Sequence, residues 1–228
     1  MGKKTAAIIG SGGLIGSHLL EELIHDPEYG AVKTLVRWPS EPVHAKQDVK
    51  LVDFSDAESL LLALRDVDVV FCAIGTTLKK MGGDKKRYWQ IDHDIPLRAC
   101  RMAMENGCRK MVLVSAIGAS SSSRNFYLQL KGKTEEDLIA TGIPALHILQ
   151  PSLLLGHRQE KRRMEAISQR IMKPASALFS GSWAKYKAID AGDVARAMIE
   201  AARTNGEGIF RYTWKEMMDL SDRYTSDS

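Results

Sequence analysis

The chain has 228 residues, 44% of them hydrophobic and 26% charged, with a formal net charge of +4. That is enough for one sizeable core and too little for two full domains, so a single domain spanning 1–228 is expected. No apolar run approaches the roughly 20 residues that cross a bilayer, and a positive balance this small points to an anionic small ligand rather than to nucleic acid.

Cys72, Cys100 and Cys108 are odd in number and lack metal-ligand spacing, so no metal site and a reducing cytoplasm are expected. The opening Met1 to Lys4 does not read as a secretory leader, because the apolar run behind it is short and leads into a glycine turn. Thr5 to Ile9 reads as a buried strand, and Leu14, Ile15, Leu19, Leu20, Leu23 and Ile24 then recur at helical spacing. Between them Gly10, Gly13 and Gly16 form G-x-x-G-x-x-G, with Ser11, Gly12, Leu14 and Ile15 filling the stretch. A glycine turn that follows a strand and opens a helix suits a pyrophosphate. The first helical turn has unpaired N–H groups, and glycines let the ligand reach the backbone.

Ala31 to Arg37 reads as a second strand that ends at a turn containing Pro39 and Pro42. Arg37 stands where an NAD site would carry an acid on the ribose; arginine suits a 2′-phosphate, so NADP(H) is expected ahead of NAD(H). Val49 to Val52 is a third strand, with Asp53 and Phe54 at its end; Asp53 fits an adenine contact or a turn equally well. A helix over Ala57 to Leu64 and a fourth strand over Val67 to Ala73 follow. That strand is closed by Ile74-Gly75-Thr76-Thr77, and small residues around Ala73, Ile74 and Gly75 let a cofactor pass close to the backbone. The basic run Lys79 to Arg87 reads as a solvated loop.

Ile95 to Asn106 is a helix stopped by Gly107, and Met111 to Ser115 a fifth strand. Ser120 to Ser123 reads as a flexible loop. A helix over Asn125 to Ala140 carries Tyr127 and Lys131, and a sixth strand, Ala145 to Gln150, is stopped by Pro151. Beyond it lie the charged patch His157 to Arg163, a helix near 163–173 and an aromatic stretch, Phe179 to Tyr186. Asp193 is expected to cap a helix over Val194 to Ala202, Gly208 to Thr213 to form a final strand, and the tail after Asp219 to fray. Segments 152–187 and 205–228 are expected on the substrate side. The alternation predicts a Rossmann-like, doubly wound parallel sheet of order 3-2-1-4-5-6.

Ser115, Tyr127 and Lys131 suit carbonyl reduction. Tyr127 and Lys131 share one helical face, so the ammonium is expected to draw the phenol down from about 10 and make it a usable acid. Ser115 is expected to bond the substrate carbonyl, and Lys131 the nicotinamide ribose. The predicted activity is hydride transfer between NADP(H) and a small carbonyl or alcohol substrate. The alternative is a non-catalytic NADP(H) sensor, which would need no proton donor; a nucleotide-sugar epimerase ranks behind both, because the segment after Pro151 is small. A homodimer is compatible with the sequence.

The order of the glycine turn, Ser115 and Tyr127-Leu-Gln-Leu-Lys131 resembles the short-chain dehydrogenase/reductase superfamily in its atypical or extended branch. Asn125 to Gly132, Gln150 to Glu160 and Asp193 to Met198 resemble the Tat-interacting-protein-like reductases and their bacterial relatives. That resemblance implies NADP(H) binding, a cytosolic location and a substrate that varies across the family. Two departures stand out. Asp92 takes the place of an active-site asparagine, and Gln150 precedes Pro151 where relatives often carry arginine.

Overall fold

In the computed structural model, which describes residues 2–155 and 186–226, the short apolar runs become strands β1 (Lys4–Ile9), β2 (Tyr29–Val36), β3 (Gln47–Leu51), β4 (Val69–Cys72), β5 (Lys110–Val114) and β6 (Ala145–Leu149). The short pair β7 (Leu154–Leu155) and β8 (Ile189–Asp190) and then β9 (Gly208–Tyr212) follow. The main sheet runs β3-β2-β1-β4-β5-β6-β9, and every pairing in it is parallel. The predicted order is therefore present, extended by a seventh strand beside β6.

The amphipathic runs become α1 (Leu14–His25), α2 (Ala57–Ala63), α3 (Lys85–Trp89), α4 (Ile95–Glu105), α5 (Phe126–Ile139), α6 (Ala191–Arg203) and α7 (Trp214–Ser226). A π-helical turn, Gln90–Asp94, joins α3 to α4. Side chains of a strand alternate between its faces, and β1 divides accordingly. Ala6 and Ile8 join a core with α1, α6 and α7, while Ala7 and Ile9 join a second core with α2 and α4. Helices on both faces make the architecture Rossmann-like and doubly wound.

Four local expectations are corrected. The basic run is not simply a loop: Asp84 accepts a bond from the Arg87 N–H at 3.0 Å and caps α3. The serine run is held in place, since the backbone of Ser120 and Ser121 lies so close to Gly132 of α5 that a Cβ there would collide with it. Asp190 rather than Asp193 caps α6, accepting from the Gly192 N–H at 2.8 Å. Asp193, inside the first turn, pairs with Arg196 at 2.6 Å. The tail does not fray after Asp219, because Leu220, Ser221 and Tyr224 are buried on α7. The charged patch, the helix near 163–173 and all but the last residue of the aromatic stretch lie outside the described residues. The described part of segment 205–228 forms β9 and α7.

In a parallel sheet the carboxyl ends of the strands share one edge. Gly10, Arg37, Ala73, Ser115 and Gln150 directly follow β1, β2, β4, β5 and β6, so the sheet gathers at one edge residues far apart in sequence.

Candidate functional site

The glycine turn separates into residues the protein's own packing demands and one it does not. Gly10 has φ +96°, and a Cβ on it would stand 2.8 Å from the Ala73 carbonyl carbon and the Ile74 nitrogen. At Gly16 a Cβ would overlap the Gly10 carbonyl oxygen. A Cβ on exposed Gly12, by contrast, meets nothing within 4 Å. Gly13 caps α1 without a side-chain bond, and the first turn of α1 carries no acidic residue. Free N–H groups, an uncompensated dipole end and a bare backbone fit an anion such as pyrophosphate. Leu14 and Ile15 turn their side chains toward the core, so only their backbone and that of half-buried Ser11 face the turn.

Around this turn, Arg37 is exposed and has no ion pair among the described residues. Asp53 takes the turn role: its Oδ1 accepts from the Ser55 N–H at 2.8 Å and the Ser55 hydroxyl at 2.6 Å, which holds its carboxyl below the usual range. Phe54 buries its ring in the second core, leaving its backbone, whose carbonyl accepts from Arg98 at 3.1 Å. Ala73 and Ile74 are half-buried and Gly75 is exposed. Pro151 is buried, its carbonyl accepting from the Ile117 N–H at 3.0 Å.

Helix α5 carries the chemical groups. Asn125 caps it, accepting from the N–H groups of Tyr127 and Leu128 at 3.0 and 3.2 Å. Tyr127, in the first turn, is 40% exposed. One turn on, Lys131 is buried, with Nζ 3.0 Å from Asp92 Oδ2. Asp92 is itself buried and accepts from the Thr76 N–H at 3.0 Å. It lies in the π turn, an uncommon geometry often found at functional sites, and that turn buries Ile91, Asp92 and His93 in succession.

The electrostatics reverse one expectation. Burial raises the Tyr127 phenol above its ordinary value; Lys131 pulls it down and Asp92 pushes it back up. The ammonium does not act on the phenol alone, because a carboxylate accompanies it. Burial likewise raises the Asp92 carboxyl against the pull of Lys131. For Lys131 burial works downward, yet Asp92 and the phenol carry it above the usual value and keep it protonated at neutral pH.

Ser115 is corrected too. It is buried, and its hydroxyl donates to Glu135 Oε1 at 2.5 Å. A hydroxyl has one proton, so in this arrangement none is left for a substrate carbonyl. Glu135 Oε1 also accepts from Gln150 Nε2 at 2.8 Å, and Oε2 lies 3.4 Å from Arg211 Nε. Gln150 therefore helps to hold Glu135. Sequence reading passed over Glu135 and the partners of Asp92. Glu135 had a signal: Tyr127, Lys131 and Glu135 repeat at i, i+4 and i+8 on one face. The pairing of Asp92 had no such signal, since Lys131 is 39 residues away.

Comparison with known proteins places the chain in a family. A family described as NAD(P)H-binding matches residues 10–205. Protein FMP52, mitochondrial, of Candida glabrata is 30% identical over 235 residues, covering 100% of both chains. Protein fmp52-1, mitochondrial, of Aspergillus terreus is 35% identical over 90% of this chain and 89% of its own. Protein HTATIP2 of Rattus norvegicus is 30% identical over 91% and 85%. Among solved structures, a UDP-N-acetylglucosamine 4-epimerase from Methanobrevibacter ruminantium M1, in complex with UDP-N-acetylmuramic acid, superposes with a TM-score of 0.70 at 20% identity. That match covers 93% of this chain and 77% of the other, and shows the shared fold. The mitochondrial names of the fungal relatives overturn the expected cytoplasmic location; a lack of disulfide or metal spacing says only that the thiols stay free. Among the described residues no helix is long and apolar enough to cross a membrane.

Proposed function

The chain belongs to the NAD(P)H-binding family, within the atypical branch of the short-chain dehydrogenase/reductase superfamily, and on that premise we propose that it is an NADP(H)-dependent oxidoreductase acting on a small carbonyl or alcohol. The observation that supports this most is the α5 face, where a partly exposed phenol stands one turn from a buried ammonium. The bound nicotinamide would supply or accept the hydride. In reduction the Tyr127 hydroxyl gives its proton to the developing alkoxide, and the phenolate left behind is stabilised by Lys131. The Gly10 to Gly16 turn holds the pyrophosphate, Arg37 the 2′-phosphate, and the backbone at Asp53, Phe54 and Ala73 to Gly75 lines the remaining path. Ser115 acts through Glu135, fixing α5 against β5. Segment 152–187, most of it outside the described residues, and segment 205–228 are assigned to the substrate side.

Tyr127→Phe tests the reading, because it removes one hydroxyl and little packing. NADPH consumption with a turned-over aldehyde or ketone falls about a hundredfold, while NADPH affinity barely moves. A second reading, the non-catalytic NADP(H) sensor, is favoured by the single proton of Ser115 being held by Glu135. It predicts a wild type that binds NADPH yet oxidises none of it across aldehydes, ketones and quinones, and that outcome would displace the enzyme.

A further inference from the structure

Two opposite charges lie buried together at 3.0 Å, with Lys131 one turn of α5 from Tyr127. Burying either alone would be costly, so each demands its partner. Asp92 has Lys131 and the Thr76 N–H; Lys131 has no second ion pair among the described residues. We propose that Asp92 is a positioning residue whose carboxylate pins the Lys131 ammonium and offsets its charge at Tyr127, setting the site for carbonyl reduction rather than alcohol oxidation. The directional half rests on the oxidoreductase reading; the charge-offset half rests on the buried Asp92–Lys131 pair, with Lys131 one helical turn from Tyr127, and on the electrostatics at the phenol.

A phenol beside a lone ammonium is drawn toward phenolate, and a carboxylate in the same neighbourhood opposes that. The protonated form is the acid that reduction needs, whereas oxidation of an alcohol needs the phenolate as base. The groups facing the pair come from four elements: Tyr88 on α3, Asp92 on the π turn, Tyr127 and Lys131 on α5, and Cys72 on β4. Burial raises the Tyr88 phenol, and the Cys72 thiol is pushed up to about 12, so both stay neutral near physiological pH. Among the described residues that leaves Asp92 as the anion answering Lys131. The buried Asp92 Oδ2 would lie 3.8 Å from a Cβ built on Gly75, so the carboxylate sits directly behind the strand-end turn.

The test is an NMR pH titration of cofactor-free protein carrying 13Cζ-labelled tyrosine, with the Tyr127 signal assigned by its loss in Tyr127→Phe. In Asp92→Asn, which keeps an acceptor for Thr76 and removes the charge, the ionisation constant of Tyr127 rises at least about tenfold, a midpoint lower by about one pH unit. Asp92→Glu restores the wild-type midpoint. Equal midpoints in wild type and Asp92→Asn overturn the proposal. So does a wild-type Tyr127 already half-ionised below about pH 9, a result that requires no Asp92 variant to fold. The titration needs neither cofactor nor turnover, so a chain without reductase activity still tests the charge offset. With an active enzyme, the ratio of alcohol oxidation to carbonyl reduction at fixed pH rises about tenfold in Asp92→Asn; an unchanged ratio overturns the directional half.

Discussion

His147 gives the structure a worked pH dependence. It sits in β6, fully buried, stacked on Phe210 of β9 with ring centroids 4.7 Å apart, and its Nδ1 lies 2.9 Å from the Tyr212 hydroxyl. Burial, with a smaller contribution from Lys110, lowers its pKa from 6.5 to about 4. The folded state therefore holds this imidazole neutral where the unfolded chain would protonate it. The sign follows: the full contribution is present above pH 6.5 and is lost as pH falls toward 4. The cost is about 2 kcal/mol by pH 5 and about 3 kcal/mol by pH 4, for a domain this size a fall in Tm of several degrees at pH 5. Urea unfolding between pH 7 and 5, in wild type and His147→Leu, isolates it. The variant is less stable at pH 7, because the stacking is gone, but its stability changes less on acidification. Parallel curves for the two proteins would refute the reasoning, since they would place the pH dependence elsewhere.

Arg37→Ala is expected to lower NADPH affinity about ten- to a hundredfold, the worth of a charge-assisted bond of about 1.5 to 3 kcal/mol, and to leave NADH affinity nearly unchanged. Cofactor titrations read both, and equal wild-type affinities for the two would end the assignment. Gly16→Ala and Gly12→Ala are expected to part company. The first forces α1 away from Gly10 and lowers Tm without any ligand; the second leaves Tm unchanged and weakens NADPH binding, so a Gly12→Ala protein that binds like wild type would move the pyrophosphate off this turn.

Much of what depends on neighbours in sequence was legible there. The glycine turn, the six parallel strands and the Tyr127–Lys131 face follow from periodicities of two and 3.6 and from glycine placement. What escaped at the site depends on pairs far apart in the chain. Asp92 and Lys131 meet because a π turn and α5 pack together, and the Ser115 hydroxyl is turned to Glu135 by the packing of β5 against α5. A tyrosine and a lysine one turn apart suggested a lowered phenol only while the lysine was taken to stand alone. Asp193 had the chemistry of a cap but not the position; Asp190, three residues earlier, fills it. Location was misjudged because three free cysteines carry no address.

The division of the cores has a consequence for the order in which the protein is made. β1, the glycine turn and α1 leave the ribosome well before the helices that cover the apolar face of α1, to which α6 contributes Val194 and Met198, and α7 Met217 and Leu220. Until those residues emerge, Ile15, Leu19 and Leu23 have only the sheet to lie against. Vectorial synthesis thus delivers a glycine turn whose supporting helix waits on the much later α6 and α7, and a nascent chain stalled before Ala191 would present that greasy stripe to chaperones.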